Sequence, residues 1–329
     1  VFSCPECATD IVFWDAALDY EEGKVKEKFD CPSCGITVTK RSAERAWDTE
    51  FDLAIGKSIK VVKRKPVLIN YSVDGVAGKF KKAPDQFDFD LIKEIQKKEI
   101  PYWHPNNRLI EGKETRRNDA IGLTHDHQFY TKRNLWILSA AWNRLLNEGV
   151  RFPFLFTASQ RALSRLASIA FSYFFHGGGG FINAGTKGTL YIPSINPEVS
   201  VFNSLESRIK SLRFSYEANF SNFIVQTSSS TESLLKSNSL DYLFIDPPFG
   251  ANINYSELNS LWEPWLGVQT NIKEEAIENS SQNKGIFEYK ELMTSAFSEA
   301  YRLLKPGRWM TVEFSNTRAS VWNNIQAAI

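Results

Sequence analysis

The sequence predicts an α/β chain: part of an open sheet of alternating strands and helices, with a cysteine-held ribbon and a mixed α+β region. Three observations predict it. Residues 240–245 are an apolar, β-prone run that stops at Asp246-Pro247-Pro248-Phe249-Gly250. Prolines cannot donate to a strand ladder, and the first biases Asp246 to extended geometry, so the strand ends there. Residues 221–314 read as strand, polar turn, helix and strand, the repeating unit of α/β sheets. Near the N-terminus stand two matching knuckles, Cys4-Pro5-Glu6-Cys7 and Cys31-Pro32-Ser33-Cys34.

At 329 residues the chain is long enough for a large core plus an insertion. With 43% hydrophobic and 23% charged residues it reads as globular rather than disordered. The net charge of +1 means that any nucleic-acid surface must be a local patch. No apolar run approaches the roughly 18 residues of a membrane span, and no secretory leader is visible. Four cysteines in two C-x-x-C pairs point to a metal in a reducing, cytoplasmic compartment rather than to a disulfide scaffold. The chain starts at Val1, three residues before a cysteine, and stops at Ile329 inside an amphipathic pattern, so the sequence reads as a fragment at both ends.

Residues 1–40 read as a zinc ribbon. Each C-P-x-C turn aims two thiolates at one centre, and Cys4, Cys7, Cys31 and Cys34 together make a closed tetrahedral Zn²⁺ site. Two unrelated pairs of buried or disulfide cysteines are the alternative. Thr9 to Trp14 alternate and Glu21 to Lys24 form a charged turn, which fits a small hairpin. Such ribbons bind nucleic acid, bind protein or brace a fold, so the motif fixes no function.

Residues 41–150 read as a basic α+β insertion. Strands are expected at 36–39, 58–62 and 67–73, and a helix from Asp90 to Lys98. Between Gly56 and Lys98 eleven Lys/Arg face five Asp/Glu. Lys57, Lys60, Lys63, Lys65, Lys79, Lys81 and Lys82 form either a phosphate-facing surface or a solvated β face. Residues 102–125 are an irregular polar loop with Arg108, Lys113, Arg116 and Arg117. Thr131 is placed as an N-cap, followed by Leu135, Leu138, Trp142 and Leu145 at helical spacing. His125 and His127 lack a third ligand nearby in sequence.

Residues 151–329 carry the α/β half. A helix is expected over 154–175, ending at His176 before Gly177 to Gly180. Those glycines follow a helix, whereas a dinucleotide loop follows a strand, so they read as a cap and loop. A strand is expected at 188–192, a helix at 198–212, a strand at 222–226 and a short helix at 233–237. Tyr289 to Leu304 is a helix with Leu292, Ala296, Phe297, Ala300 and Leu303 as its stripe. Lys305-Pro306-Gly307 ends it before a strand over 308–314.

In open α/β sheets ligands bind beyond the carboxyl ends of strands. A carboxylate, prolyl carbonyls and an aromatic face suit a planar nucleobase with an exocyclic amine. Acceptors at Asp246 and the Pro247 carbonyl would bond both amine hydrogens and free the lone pair, while Phe249 stacks on a base taken out of its helix. A rigid strand-to-helix turn is the plainer reading.

Asp246-Pro247-Pro248-Phe249 with Tyr255-Ser256-Glu257-Leu258 matches D-P-P-Y/F-x-x-x-x-x-Y-x-E-L. On these residues and the two knuckles the chain resembles adenine-specific DNA methyltransferases with a zinc ribbon set into the catalytic domain. The resemblance implies a partial Rossmann-like S-adenosylmethionine-dependent methyltransferase sheet, with residues 151–329 as its later strands and catalytic loop. It implies a catalytic set Asp246, Pro247, Pro248 and Phe249, and donor contacts at Thr227, Ser228 and Asp246. Substrate contacts fall to Tyr255, Asn252, Arg116 and Arg117. It implies double-stranded DNA as partner, no membrane, and a restriction or defence-system partner. In the resembled group the glycine loop and acid that hold the donor lie upstream of the ribbon. RNA as substrate, or a zinc-ribbon nucleic-acid-binding module with a degenerate methylase half, are the competing functions.

Overall fold

The structure is a computed structural model that describes residues 1–146, 152–214 and 224–329. It is a mixed α/β chain of small sheets and helices, divided into two compact units. The first comprises Val1–Arg108, Asn118–Thr186 and Tyr191–Ile209; the second comprises Leu109–Arg117, Lys187–Leu190 and Lys210–Ile329. The ribbon, most of the basic insertion and residues 152–186 therefore share one unit. The expected boundary at 150 lies outside the described residues.

In the first unit, Phe2–Ser3 pairs antiparallel with Asp10–Ile11 on one side and Glu44–Arg45 on the other. Lys28–Asp30 pairs with Thr37–Thr39. These pieces close on Phe2, Phe13 and Phe29, whose rings meet at 5.2–6.2 Å, with Ile11 and Val38 beside them. So small a core holds little hydrophobic energy, which is why a second constraint at the cysteines matters. The Thr9 to Trp14 run is not one strand. It gives two strand residues and then the helix Phe13–Ala17, which turns Phe13 and Ala17 into the core. The charged turn does join a hairpin, Leu18–Asp19 with Lys24–Val25.

Two further hairpins follow, Trp47–Asp52 with Lys57–Val62 and Ile69–Val73 with Val76–Lys82. The helix Gln86–Lys97 starts four residues before the expected place because Asp85 and Asp88 form a reciprocal capping box. Thr131 caps Lys132–Leu145 by accepting from the Asn134 amide. Leu135, Leu138 and Trp142 are buried, and the Trp142 ring meets Phe156 at 4.8 Å. The expected helix over 154–175 is broken. Phe152–Leu163 and Phe171–His176 are helical, and Ser168–Ile169 between them pairs with Ile182–Asn183. Gly177 caps the second helix, so the glycines do form a cap and loop. Residues 188–192 are not a strand; Thr189 and Leu190 instead bond to the Glu114 carboxylate.

In the second unit, Leu240–Ile245 and Leu304–Val312 pair in parallel, joined through the helix Ile286–Leu303. Among the described residues no further strand joins this pair. The long helix packs on Ala319–Ala328 through Tyr289, Met293, Phe297, Val321 and Ile325, with Ile245, Met310 and Val312 beneath. Of the expected stripe Phe297, Ala300 and Leu303 are buried, whereas Leu292 and Ala296 are half-buried and Tyr289 and Met293 take the buried face instead. Lys305-Pro306-Gly307 does more than end the helix. Leu240 pairs with Leu304 and Tyr242 with Trp309, so these residues bulge out of the strand, where a proline's missing N–H is tolerated.

Residues 222 and 223 of the expected strand lie outside the described residues, and 224–226 are not strand. Nor are 233–237 helical. Arg302 donates to the Ser233 and Leu235 carbonyls and to the Ser237 hydroxyl, and Glu299 accepts from the Ser233 amide. These groups take the hydrogen bonds that a helix would have used.

Candidate functional site

The four cysteines converge. Their Sγ atoms all lie within 4.8 Å of one another, with Cys4–Cys34 and Cys7–Cys31 both at 3.6 Å. Four thiolates at about 2.3 Å from one Zn²⁺ sit about 3.8 Å apart, so the set fits a single tetrahedral ion. The two knuckles are built alike. Cys4 N–H donates to Thr9 O and Ala8 N–H to Cys4 O; Cys31 N–H donates to Ile36 O and Gly35 N–H to Cys31 O. Both turns place the residue after the second cysteine in the left-handed region, Ala8 at φ 56° and Gly35 at φ 74°. The Thr9 hydroxyl and amide hold the Cys7 thiol down to about 6. Amides of Cys34 and Ser33 lower Cys31. Cys34 is pushed up to about 12: the Ile36 amide pulls it down, but burial and the other thiols outweigh it.

In the same unit three histidines gather, although only two were close in sequence. His127 lies 6.2 Å from His104 and 6.0 Å from His125, ring to ring. His127 Nε2 is 2.7 Å from Asp52, and Gln128 donates to the same oxygen at 2.8 Å. Burial opposes the Asp52 charge, yet these two partners hold its carboxyl at about 2. Asp126, 5% exposed, has its carboxyl raised to about 7 by burial, against hydrogen bonds from Asn107.

Of the expected phosphate-facing lysines, Lys63 pairs with Asp10, and Lys82 with Asp85 and Asp88. Lys60 lies over Trp47 and Lys81 over Phe174. These four are engaged within the protein.

In the second unit the strand ends at Ile245, as the prolines require, and the loop is pinned carbonyl by carbonyl. Tyr289 Oη donates to Pro248 O at 2.7 Å, Asn316 Nδ2 to Phe249 O at 2.9 Å, and Glu278 N–H to Gly250 O at 3.2 Å. Among the described residues the Asp246 carboxylate and the Pro247 carbonyl have no hydrogen-bond partner. Asp246 is exposed and Pro247 is buried. Phe249 is half-buried, its ring edge-on to Phe314 at 5.2 Å. Burial and the charges of Asp246 and Glu275 raise the Tyr255 phenol, which keeps its proton at neutral pH. Asn252 is exposed two residues past the loop. Trp265 is buried in the short helix Glu263–Leu266.

Arg116 and Arg117 fall in this unit but serve different ends. Arg116 Nη2 donates to the carbonyls of Leu109 and Ile110 and braces its own loop. Arg117 is exposed and bonds Glu114 and Thr189. Sequence reasoning gave Glu257 a place in a motif but no role. It is fully buried, and its Oε2 accepts from the amides of Glu114 at 2.6 Å and Thr115 at 2.8 Å. Oε1 accepts from Asn279 Nδ2 at 3.1 Å. Burial raises the carboxyl, and these donors counter it. No signal short of tertiary structure pairs Glu257 with residues 142 positions away.

Thr227 and Ser228 are exposed in a stretch without strand. Among the described residues no strand is followed directly by a glycine-rich loop and a helix. Among the described residues no helix is long and apolar enough to cross a membrane. No known family model, curated protein or solved structure matches the chain.

Proposed function

We propose that this chain carries the base-holding loop of a methyltransferase that acts on an exocyclic amine of a DNA base, adenine N6 by the resemblance of its loop. One observation carries the reading. At the carboxyl end of a parallel strand, two adjacent acceptors, Asp246 and the Pro247 carbonyl, have no partner among the described residues, while the next three carbonyls are fixed.

An aromatic amine is a poor nucleophile because its lone pair is delocalised into the ring. Acceptors for both its hydrogens favour tetrahedral nitrogen and return the lone pair to it. Acceptors already fixed in place do this without reorganisation, which is the source of their catalytic value. The Pro248, Phe249 and Gly250 anchors supply that rigidity. Phe249 offers a ring to a base out of its stack, and Tyr255 offers a protonated hydroxyl near Asp246. The donor named by the resemblance, S-adenosylmethionine, would bring a methyl group on a sulfonium. The residues described here act on the base alone. Zinc is the ion proposed for the four cysteines, bracing the ribbon.

The test is incorporation of tritiated methyl from S-adenosylmethionine into duplex DNA, with RNA in parallel. Label in DNA that disappears in Asp246→Ala supports the reading. Label in RNA alone moves the substrate to RNA, and undiminished label in Asp246→Ala reduces the loop to a turn.

A further inference from the structure

We propose that Glu257 is the positioning residue of a phosphate contact: it holds the turn over 112–117 so that Lys113, Arg117 and Lys187 bind a nucleic-acid backbone beside the Tyr255 helix. The inference rests on the nucleic-acid part of the function proposed above.

The chain of contacts runs outward from the buried carboxylate. Glu257 lies on the helix Tyr255–Asn259, two residues past Tyr255. It takes both amides of Glu114 and Thr115 and the Thr115 hydroxyl. The approach is so close that a Cβ on Gly112 would collide with the carboxylate, so only glycine fits there. With its backbone held, Glu114 places its mostly buried side chain against the second segment, bonding Arg117 at 3.0 Å, the Thr189 hydroxyl at 2.5 Å and the Leu190 amide at 3.1 Å. Arg117 also reaches Thr189 Oγ1 at 2.7 Å. One buried carboxylate thus fixes two chain segments, 112–117 and 187–190, against the helix that carries Tyr255.

Those segments are basic. Residues 109–117 and 187–190 hold Lys113, Arg116, Arg117 and Lys187 against Glu111 and Glu114, an excess of two positive charges in a chain whose whole net charge is +1. Lys113, Arg117 and Lys187 are exposed. The partner that complements such a patch is the phosphate backbone, which sets register without reading sequence.

The experiment measures binding of a labelled DNA duplex across a salt series from about 50 to 200 mM, with hydrogen exchange at the Glu114 and Thr115 amides. Arg117→Ala should lower the slope of log K against log salt by about 1 and weaken binding about eightfold near 0.1 M salt. Glu257→Ala should expose both amides to exchange and lower the slope at least as much, with no further loss on adding Arg117→Ala. Glu257→Gln keeps an oxygen for both amides and should restore most of the binding. If Glu257→Ala does not fold, Gly112→Ala tests the same contact, because it pushes the turn off the carboxylate and should produce the same two changes.

An unchanged slope in Arg117→Ala overturns the proposal, as does exchange at both amides without loss of binding. Methyl incorporation into DNA with unchanged slopes would sink this inference and leave the proposed activity standing. Arg117-dependent binding without methyl incorporation would do the reverse.

Discussion

The Tyr289 hydroxyl donates to the Pro248 carbonyl at 2.7 Å, joining the core of the long helix to the middle of the Asp-Pro-Pro-Phe loop. Tyr289 is fully buried, and burial pushes its phenol up to about 12, so the donor persists across the working pH range. Tyr289→Phe should leave that carbonyl unpaired and destabilise the chain by about 1–3 kcal/mol in urea unfolding. It should also slow methyl transfer, because the two acceptors before it lose their support. Unchanged stability would mean that water replaces the phenol.

Asp246→Ala should reduce methyl transfer by about 10²-fold or more while leaving the fold unchanged, since the side chain is exposed and in the proposed reaction acts only on the amine. Phe249→Ala should weaken base capture by about 1–3 kcal/mol and also loosen the loop by removing the ring contact with Phe314. Phe249→Trp should retain activity through its ring face. Kinetics on duplex DNA separate the two effects, as a fall in kcat for Asp246 and a rise in KM for Phe249.

The cysteine cluster should bind one zinc per chain, measured by elemental analysis. Cys31→Ser should lose the metal and unfold the ribbon, whose phenylalanine core includes Cys31 itself. The strand before Asp246 should keep its hydrogen-exchange protection.

Ala8 is a non-glycine residue in the left-handed conformation, at the position where the second knuckle has Gly35. Ala8→Gly should relieve about 1 kcal/mol of backbone strain, part of it offset by the greater freedom of glycine in the unfolded chain. A small gain in melting temperature is expected, and a clear loss would mean that the Ala8 methyl group packs usefully.

Asp126 supplies the pH dependence. Its folded carboxyl titrates at about 7, above the unfolded value near 3.9, so the folded form binds the extra proton. That contribution is complete below about pH 4 and is lost as pH rises through 7. Wild type should therefore lose stability from pH 5 to 8 relative to Asp126→Asn, by about 3 kcal/mol as an upper bound. Parallel pH profiles for the two proteins would rule this out.

Some of this protein was settled by its sequence alone. The strand end before Asp246-Pro247, the two knuckles, the Thr131 cap and the Phe297, Ala300 and Leu303 part of the long helix's stripe all depend on residues within a few positions of one another. Backbone geometry and local hydrogen bonds decide such features, so spacing is enough to read them. Other features depend on partners far along the chain. Arg302 and Glu299 claim the backbone of 233–237 and displace the expected helix. Glu114 claims Thr189 and Leu190 and displaces the expected strand. His104 joins His127 across 23 residues, and Glu257 finds Thr115 across 142. Local propensity differs between conformations by about a kilocalorie per residue or less, and a buried, charged hydrogen bond outweighs it. Which segment meets that partner is set by how the chain packs, and only the tertiary structure decides it.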